Sequence, residues 1–124
     1  MCLTIKTRPY YECGIFIGCI NEITKKKFNQ KNIERSIAKA QKLYVRIIPV
    51  RITPTTFISG TTYKEKGWEI SAINYPRINA ENSEINSFMN FLAKTLLLEF
   101  GQKRISVINP EEITMYENSS LTSG

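Results

Sequence analysis

The groups that could do chemistry in this chain are defined first by two gaps. All 11 acids are Glu, and the 124 residues include neither Asp nor His. A Ser-His-Asp relay is therefore impossible, as is any site needing His as a zinc ligand or as a base titrating near neutrality. Magnesium sites that lean on Asp are disfavoured for the same reason. The closely spaced carboxylates are Glu65/Glu69, Glu81/Glu84 and Glu111/Glu112. They fall beside an expected hairpin tip or in turns, where exposure leaves them unsuited to act as an acid/base pair. Neither G-x-x-x-x-G-K-[ST] nor G-x-G-x-x-G occurs, which removes the standard nucleoside-triphosphate and dinucleotide cradles. The three cysteines, Cys2, Cys13 and Cys19, are odd in number and lack a C-x-x-C pair, so they read as free thiols. The expectation is binding without catalysis: no catalytic residue, no metal and no cofactor.

What remains suits a ligand carrying phosphate and a base. Arg8, Arg46, Arg51, Arg77 and Arg104 fall in or beside expected strands, and the planar guanidinium is the side chain matched to phosphate or pyrophosphate. Phe57, Trp68 and Tyr75 lie in the same region and could stack on a base. Gly18-Cys19-Ile20-Asn21 allows close backbone approach, with peptide N–H groups that could meet an anion. The candidate ligand-binding set is thus Arg104, Arg77, Phe57, Trp68, Tyr75, Arg51, Gly18, Cys19 and Asn21. Each has a plainer reading: Glu-paired arginines, core or cross-strand aromatics, a strand bulge leading into a loop. Two arginines converging on one pocket would favour the ligand.

Charge adds an alternative. The net charge is +6, but residues 1–51 hold 11 basic and 3 acidic side chains while residues 52–124 hold 6 and 8. Lys25–Lys27 with Lys31, Arg35, Lys39 and Lys42 could serve a small nucleic-acid-binding protein. No run of about 18 apolar residues or secretion signal is visible, so a cytoplasmic protein without membrane contact is expected.

The elements that must position these groups follow from periodicity. Residues 3–8 and 14–20 read as strands, and Ile33, Ile37, Ala40 and Tyr44 mark a helix from about 30 to 44 capped by Asn29. Val45–Ile52 reads as a strand broken at Pro49. Thr55–Tyr63 and Gly67–Asn74 read as a hairpin with its tip at Lys64–Gly67. Ile85, Phe88, Met89, Leu92, Leu96 and Phe100 define a second helix closed by Gly101. Arg104–Ile108 is a further strand, and Ile113–Tyr116 a small extra one. The expected fold is α+β, a mostly antiparallel sheet with two main helices packed on one face. Residues 1–117 would form one domain and 118–124 a flexible tail. The uncovered sheet face and edges suggest a homo-oligomer.

Three segments carry a resemblance. Arg8-Pro9-Tyr10, Phe16-Ile17-Gly18-Cys19-Ile20-Asn21 and Leu98-Glu99-Phe100-Gly101-Gln102-Lys103-Arg104-Ile105-Ser106-Val107 together resemble the first-described family of phage anti-Thoeris proteins. That resemblance implies a viral counter-defence sponge, which sequesters the cyclic ADP-ribose isomer made by bacterial TIR-domain immune enzymes without cleaving it. It also implies an oligomer with ligand pockets between subunits, and in some relatives separate sites for cyclic di- or trinucleotides. No position is carried over from the family's pocket. The last segment also resembles an uncharacterised bacterial family of small α+β proteins, so that junction alone does not decide.

Overall fold

The structure is a computed structural model that describes residues 2–122, with side chains described through residue 120. In chain order the elements are β1 (Glu12–Gly18), α1 (Gln30–Leu43), β2 (Arg51–Ser59), β3 (Tyr63–Ile73), α2 (Asn82–Glu99), β4 (Arg104–Ile108), β5 (Ile113–Glu117) and the short α3 (Ser119–Thr122). The five strands form one antiparallel sheet in the order β2-β3-β1-β4-β5. The architecture is the expected α+β fold, with two main helices and a mostly antiparallel sheet.

Alternation along the strands sorts the side chains between two faces. Cys13, Ile15, Ile17, Ile70, Ala72, Ile105 and Val107 point inward and are buried against Ile85, Phe88, Met89, Leu92 and Leu96 of α2. The α1 helix adds Ile33, Ile37 and Ala40 to the same core. Its start is set by Asn29, whose side chain accepts from the Asn32 amide at 3.0 Å while Asn32 accepts from the Asn29 amide. Gly101 ends α2 with φ of +56°, a left-handed conformation that favours glycine.

Three expected strands shift or disappear. Residues 3–8 form no strand, and Leu3 and Ile5 are exposed. This segment is held instead by Arg8, which donates to the carbonyls of Ile78 (3.0 Å) and Ala80 (3.1 Å). Residues 45–50 are irregular, and β2 begins only at Arg51. Arg46 there pairs with Glu84 at 2.9 Å, and Gln41 donates to the Ile48 carbonyl at 3.0 Å, so side chains replace a ladder. Pro54 then sits inside β2, tolerated because β2 is an edge strand that need not donate outward.

The hairpin turn lies at 60–62, not at Lys64–Gly67. Gly60 has φ of +71° and supplies the turn, while Gly67 is needed within the strand. A Cβ on Gly67 would lie 2.0 Å from the Ile17 carbonyl oxygen, so only glycine lets β3 approach β1 this closely. Within the expected tail, Ser119–Thr122 form the turn of α3, and residues 123–124 lie outside the described residues.

Candidate functional site

The face of the sheet away from the helices collects one row of side chains from each strand. The register places Phe16 opposite Glu69, Gly14 opposite Ser71 and Ile108, and Arg51 opposite Ser71. Phe57 leans across the face to meet Phe16 edge-on, with ring centroids 4.3 Å apart. Gly14, Phe16, Phe57, Glu69 and Ile108, together with Tyr10, Glu12, Asn109 and Pro110, surround a cavity of about 500 Å³. That volume suits a nucleoside-sized ligand.

The walls are aromatic and the charges are negative. The Tyr10 hydroxyl donates to Glu12 Oε1, and this hydrogen bond, ahead of desolvation and the Glu12 charge, holds the phenol above its ordinary pKa. The other Glu12 oxygen accepts from Arg51 at 3.4 Å, and Arg51 also donates to Ser71 Oγ at 3.1 Å. Glu12 is therefore already engaged. Glu69 is not: among the described residues its carboxylate has no hydrogen bond or ion pair. A free carboxylate beside aromatic edges and faces is suited to a cation attached to a flat, partly apolar body.

The candidate residues from the sequence do not converge here as a set. Phe57 lines the cavity, and Arg51 borders it through Glu12. Trp68 points to the helix side and packs on Phe28, with centroids 5.9 Å apart, so it is a core-edge aromatic. Arg77 lies 5.4 Å above the Tyr75 ring at the surface beyond β3. Arg104 pairs with Glu117 at 3.3 Å. Arg104 and Gly18 share a separate polar cavity of about 250 Å³ with Glu22, Tyr63 and Glu65. Cys19 is half-buried beside Lys25 and Lys64, and Asn21 uses its side-chain oxygen to accept from the amides of Ile23 (2.9 Å) and Thr24 (3.0 Å). Among the described residues, none of the five main cavities is lined by two arginines; Arg46, Arg51 and Arg104 each take a glutamate instead.

The thiols are equally informative. Cys13 is fully buried on the core side, and burial pushes its thiol up to about 12, which removes it as a nucleophile at neutral pH. Among the described residues no cluster of three or more His, Cys, Asp or Glu side chains could hold a metal, and no helix is long and apolar enough to cross a membrane. Sequence reasoning missed Tyr10, Glu12, Phe16 and Glu69. The strict alternation Glu12, Gly14, Phe16, Gly18 marked one face of β1, but only pairing with β3 puts Glu69 beside Phe16.

Comparison with solved structures adds a likeness of fold. The fold is similar to that of a phage SAM lyase. A phage SAM lyase in complex with S-methyl-5′-thioadenosine superposes with a TM-score of 0.59 at 10% identity, covering 94% of this chain and 98% of that one. A phage SAM lyase in the apo state gives 0.61 at 13% identity, covering 94% and 96%. No protein-family model matches the chain, and no curated protein matches it by sequence.

At these identities the likeness concerns the fold. It nevertheless overturns the expectation that this architecture is non-catalytic, because both neighbours are named as enzymes. The absence of His and Asp bears on His-dependent relays and metal sites and does not exclude catalysis as such. The resemblance to anti-Thoeris proteins agrees with these neighbours in their being phage proteins; their descriptions mention neither Thoeris nor cyclic ADP-ribose.

Proposed function

We propose that the open-face cavity binds S-adenosylmethionine (SAM) and cleaves it, releasing S-methyl-5′-thioadenosine, in a role of viral counter-defence within the host cytoplasm. The observation that carries this reading is the unpaired Glu69 carboxylate in a cavity walled by Tyr10, Phe16 and Phe57, on a fold shared with a phage SAM lyase. SAM is a sulfonium cation with an adenosine body. Carboxylates and aromatic rings attract the cation, and the rings offer contact to the adenine. A cyclic ADP-ribose isomer would bring a pyrophosphate instead, and the charged side chains lining this cavity, Glu12 and Glu69, would repel it.

The chemistry is compatible with a chain lacking His and Asp. The substrate's own carboxylate oxygen can attack its γ-carbon, while the carbon–sulfur electron pair passes to sulfur. A C–O bond forms, a C–S bond breaks, and the products are a homoserine lactone and the neutral thioether. No proton, water or metal enters the balance. What the protein must supply is orientation and exclusion of water. Glu69 is placed to hold the substrate ammonium or sulfonium, Phe16 and Phe57 to fix the adenosine, and Tyr10 with Arg51 to hold Glu12 at the wall.

The apolar residues Ile108, Ile113 and Met115 on the same face are half or more exposed, and a second copy of the chain covering them would close the cavity. The test is incubation with SAM followed by chromatography and mass spectrometry. Appearance of S-methyl-5′-thioadenosine, reduced roughly a hundredfold or more in Glu69→Gln, is expected for a group acting in orientation and charge stabilisation. Recovery of intact SAM, together with retention of an uncleaved cyclic ADP-ribose isomer, would overturn the reading.

A further inference from the structure

On the helix side lies a second cavity with the opposite electrostatic character. It measures about 360 Å³ and runs between the β1–α1 loop, α1 and the end of α2. Lys26 and Lys27 line it from the loop, Asn32, Arg35, Ser36 and Lys39 from α1, and Glu99 from α2, with Phe28 and Phe100 at its edge. The α1 positions 32, 35, 36 and 39 are spaced three and four apart, so they form one helix face. Lys31 and Lys42 extend the basic row along the adjoining face of the same helix.

Three features separate this row from an ordinary solvated surface. None of Lys26, Lys27, Lys31, Arg35, Lys39 and Lys42 forms an ion pair among the described residues, whereas Arg46, Arg51 and Arg104 each do. The nearby acids accept from neutral donors rather than pairing with these cations: Glu99, the one acid in the cleft wall, accepts from Ser36 Oγ, and Glu34 accepts from Gln30 Nε2 at 3.0 Å. The cations also repel one another, since Lys31/Arg35 and Arg35/Lys39 are like charges at i,i+4. The first turn of α1 contains no acid to offset Lys31. An anionic partner would relieve these repulsions.

From Lys31 to Lys42 the row extends about 16 Å at the helical rise. At stacked-strand spacing that matches about five successive phosphates, more than a mononucleotide presents. The row is concave on its loop side and has the half-buried Phe28 ring within reach, features that suit a flexible strand better than a rigid duplex. We infer that this basic cleft binds the phosphate backbone of single-stranded nucleic acid. The inference stands independently of the sheet-face reading, because the two cavities share no lining residue.

The test is fluorescence anisotropy of the full chain with a labelled single-stranded 12-mer. Binding near 50 mM salt is expected, weakening with a log–log salt slope of about −3.5 for five phosphate contacts. The Arg35→Glu/Lys39→Glu double variant should lose at least about tenfold in affinity by the same counterion argument, whereas Lys64→Glu/Lys66→Glu, the same charge change on the β2–β3 hairpin, should lose little. Circular dichroism checks that both variants stay folded. Equal loss in both pairs would show bulk attraction by net charge and overturn the site. So would absence of binding, tighter binding to a duplex of the same length, or competition by ATP at concentrations matching the oligonucleotide. Retained conversion of SAM by the Arg35→Glu/Lys39→Glu variant would separate this cleft from the sheet-face chemistry.

Discussion

Gly67→Ala tests the packing on which the sheet-face cavity depends. The added Cβ would lie 2.0 Å from the Ile17 carbonyl oxygen and 2.8 Å from the Gly18 Cα. Both obstacles are backbone, so no side-chain rotation relieves them; β1 and β3 must separate. Separation weakens the ladder from Ile15↔Ile70 to Gly18↔Gly67 and the Cys19 amide bond to the Lys66 carbonyl at 3.0 Å. With each lost backbone bond worth about 1 kcal/mol, a cost of about 3 kcal/mol follows, the upper part of the range for overpacking. Gly14→Ala is the internal control. Its Cβ would meet the Ile70 carbonyl oxygen at 3.6 Å, ordinary contact, and the variant should remain within about 1 kcal/mol of the parent. Urea unfolding followed by circular dichroism measures both. For a slope of about 2 kcal/mol/M, the midpoint of Gly67→Ala should fall by about 1.5 M. Coincident midpoints for the two variants would refute the steric argument.

Three other expectations can be checked readily. Phe57→Ala removes a half-exposed ring from an edge strand, so stability should change little, while affinity for SAM measured by calorimetry should fall about tenfold if the ring stacks on the adenine. Asn74→Ala removes the buried side chain that accepts from the Tyr11 amide (2.7 Å) and donates to the Pro9 carbonyl (2.8 Å) and to Asn82 (2.9 Å). Leaving that amide unpartnered should cost about 2 kcal/mol, with faster hydrogen exchange at Tyr11. Cys13 is raised to about 12 by burial, so the unfolded thiol ionises first as pH rises. The unfolded state then binds fewer protons, and the parent should lose stability above about pH 9 more steeply than Cys13→Ala in parallel thermal melts.

Both helices were legible from periodicity because each repeats its apolar residues over many positions, with Asn29 and Gly101 as chemical end signals. The short strands were harder to read. Leu3 and Ile5 alternate as a strand would, yet no neighbouring edge pairs with them, and Arg8 ties the segment to carbonyls instead. Gly67 looked like a turn residue because sequence shows a glycine's freedom and not its neighbours. Its actual constraint is the approach of β1, a strand about fifty positions earlier in the chain.

By itself the sequence determined which groups could take part: glutamates without His or Asp, a basic first half, two amphipathic helices and alternating strands. Only the tertiary structure decided which groups meet. Pairing β3 between β1 and β2 brings Glu69, Phe16 and Phe57 onto one face and turns Trp68 to the other. The same folding pairs Arg46, Arg51 and Arg104, three of the arginines expected beside a phosphate, with glutamates, while Lys26, Lys27, Arg35 and Lys39 are left lining one cleft. The physical reason is that residue type limits what a side chain can do, whereas partnership depends on strand register and helix packing between residues far apart in the chain.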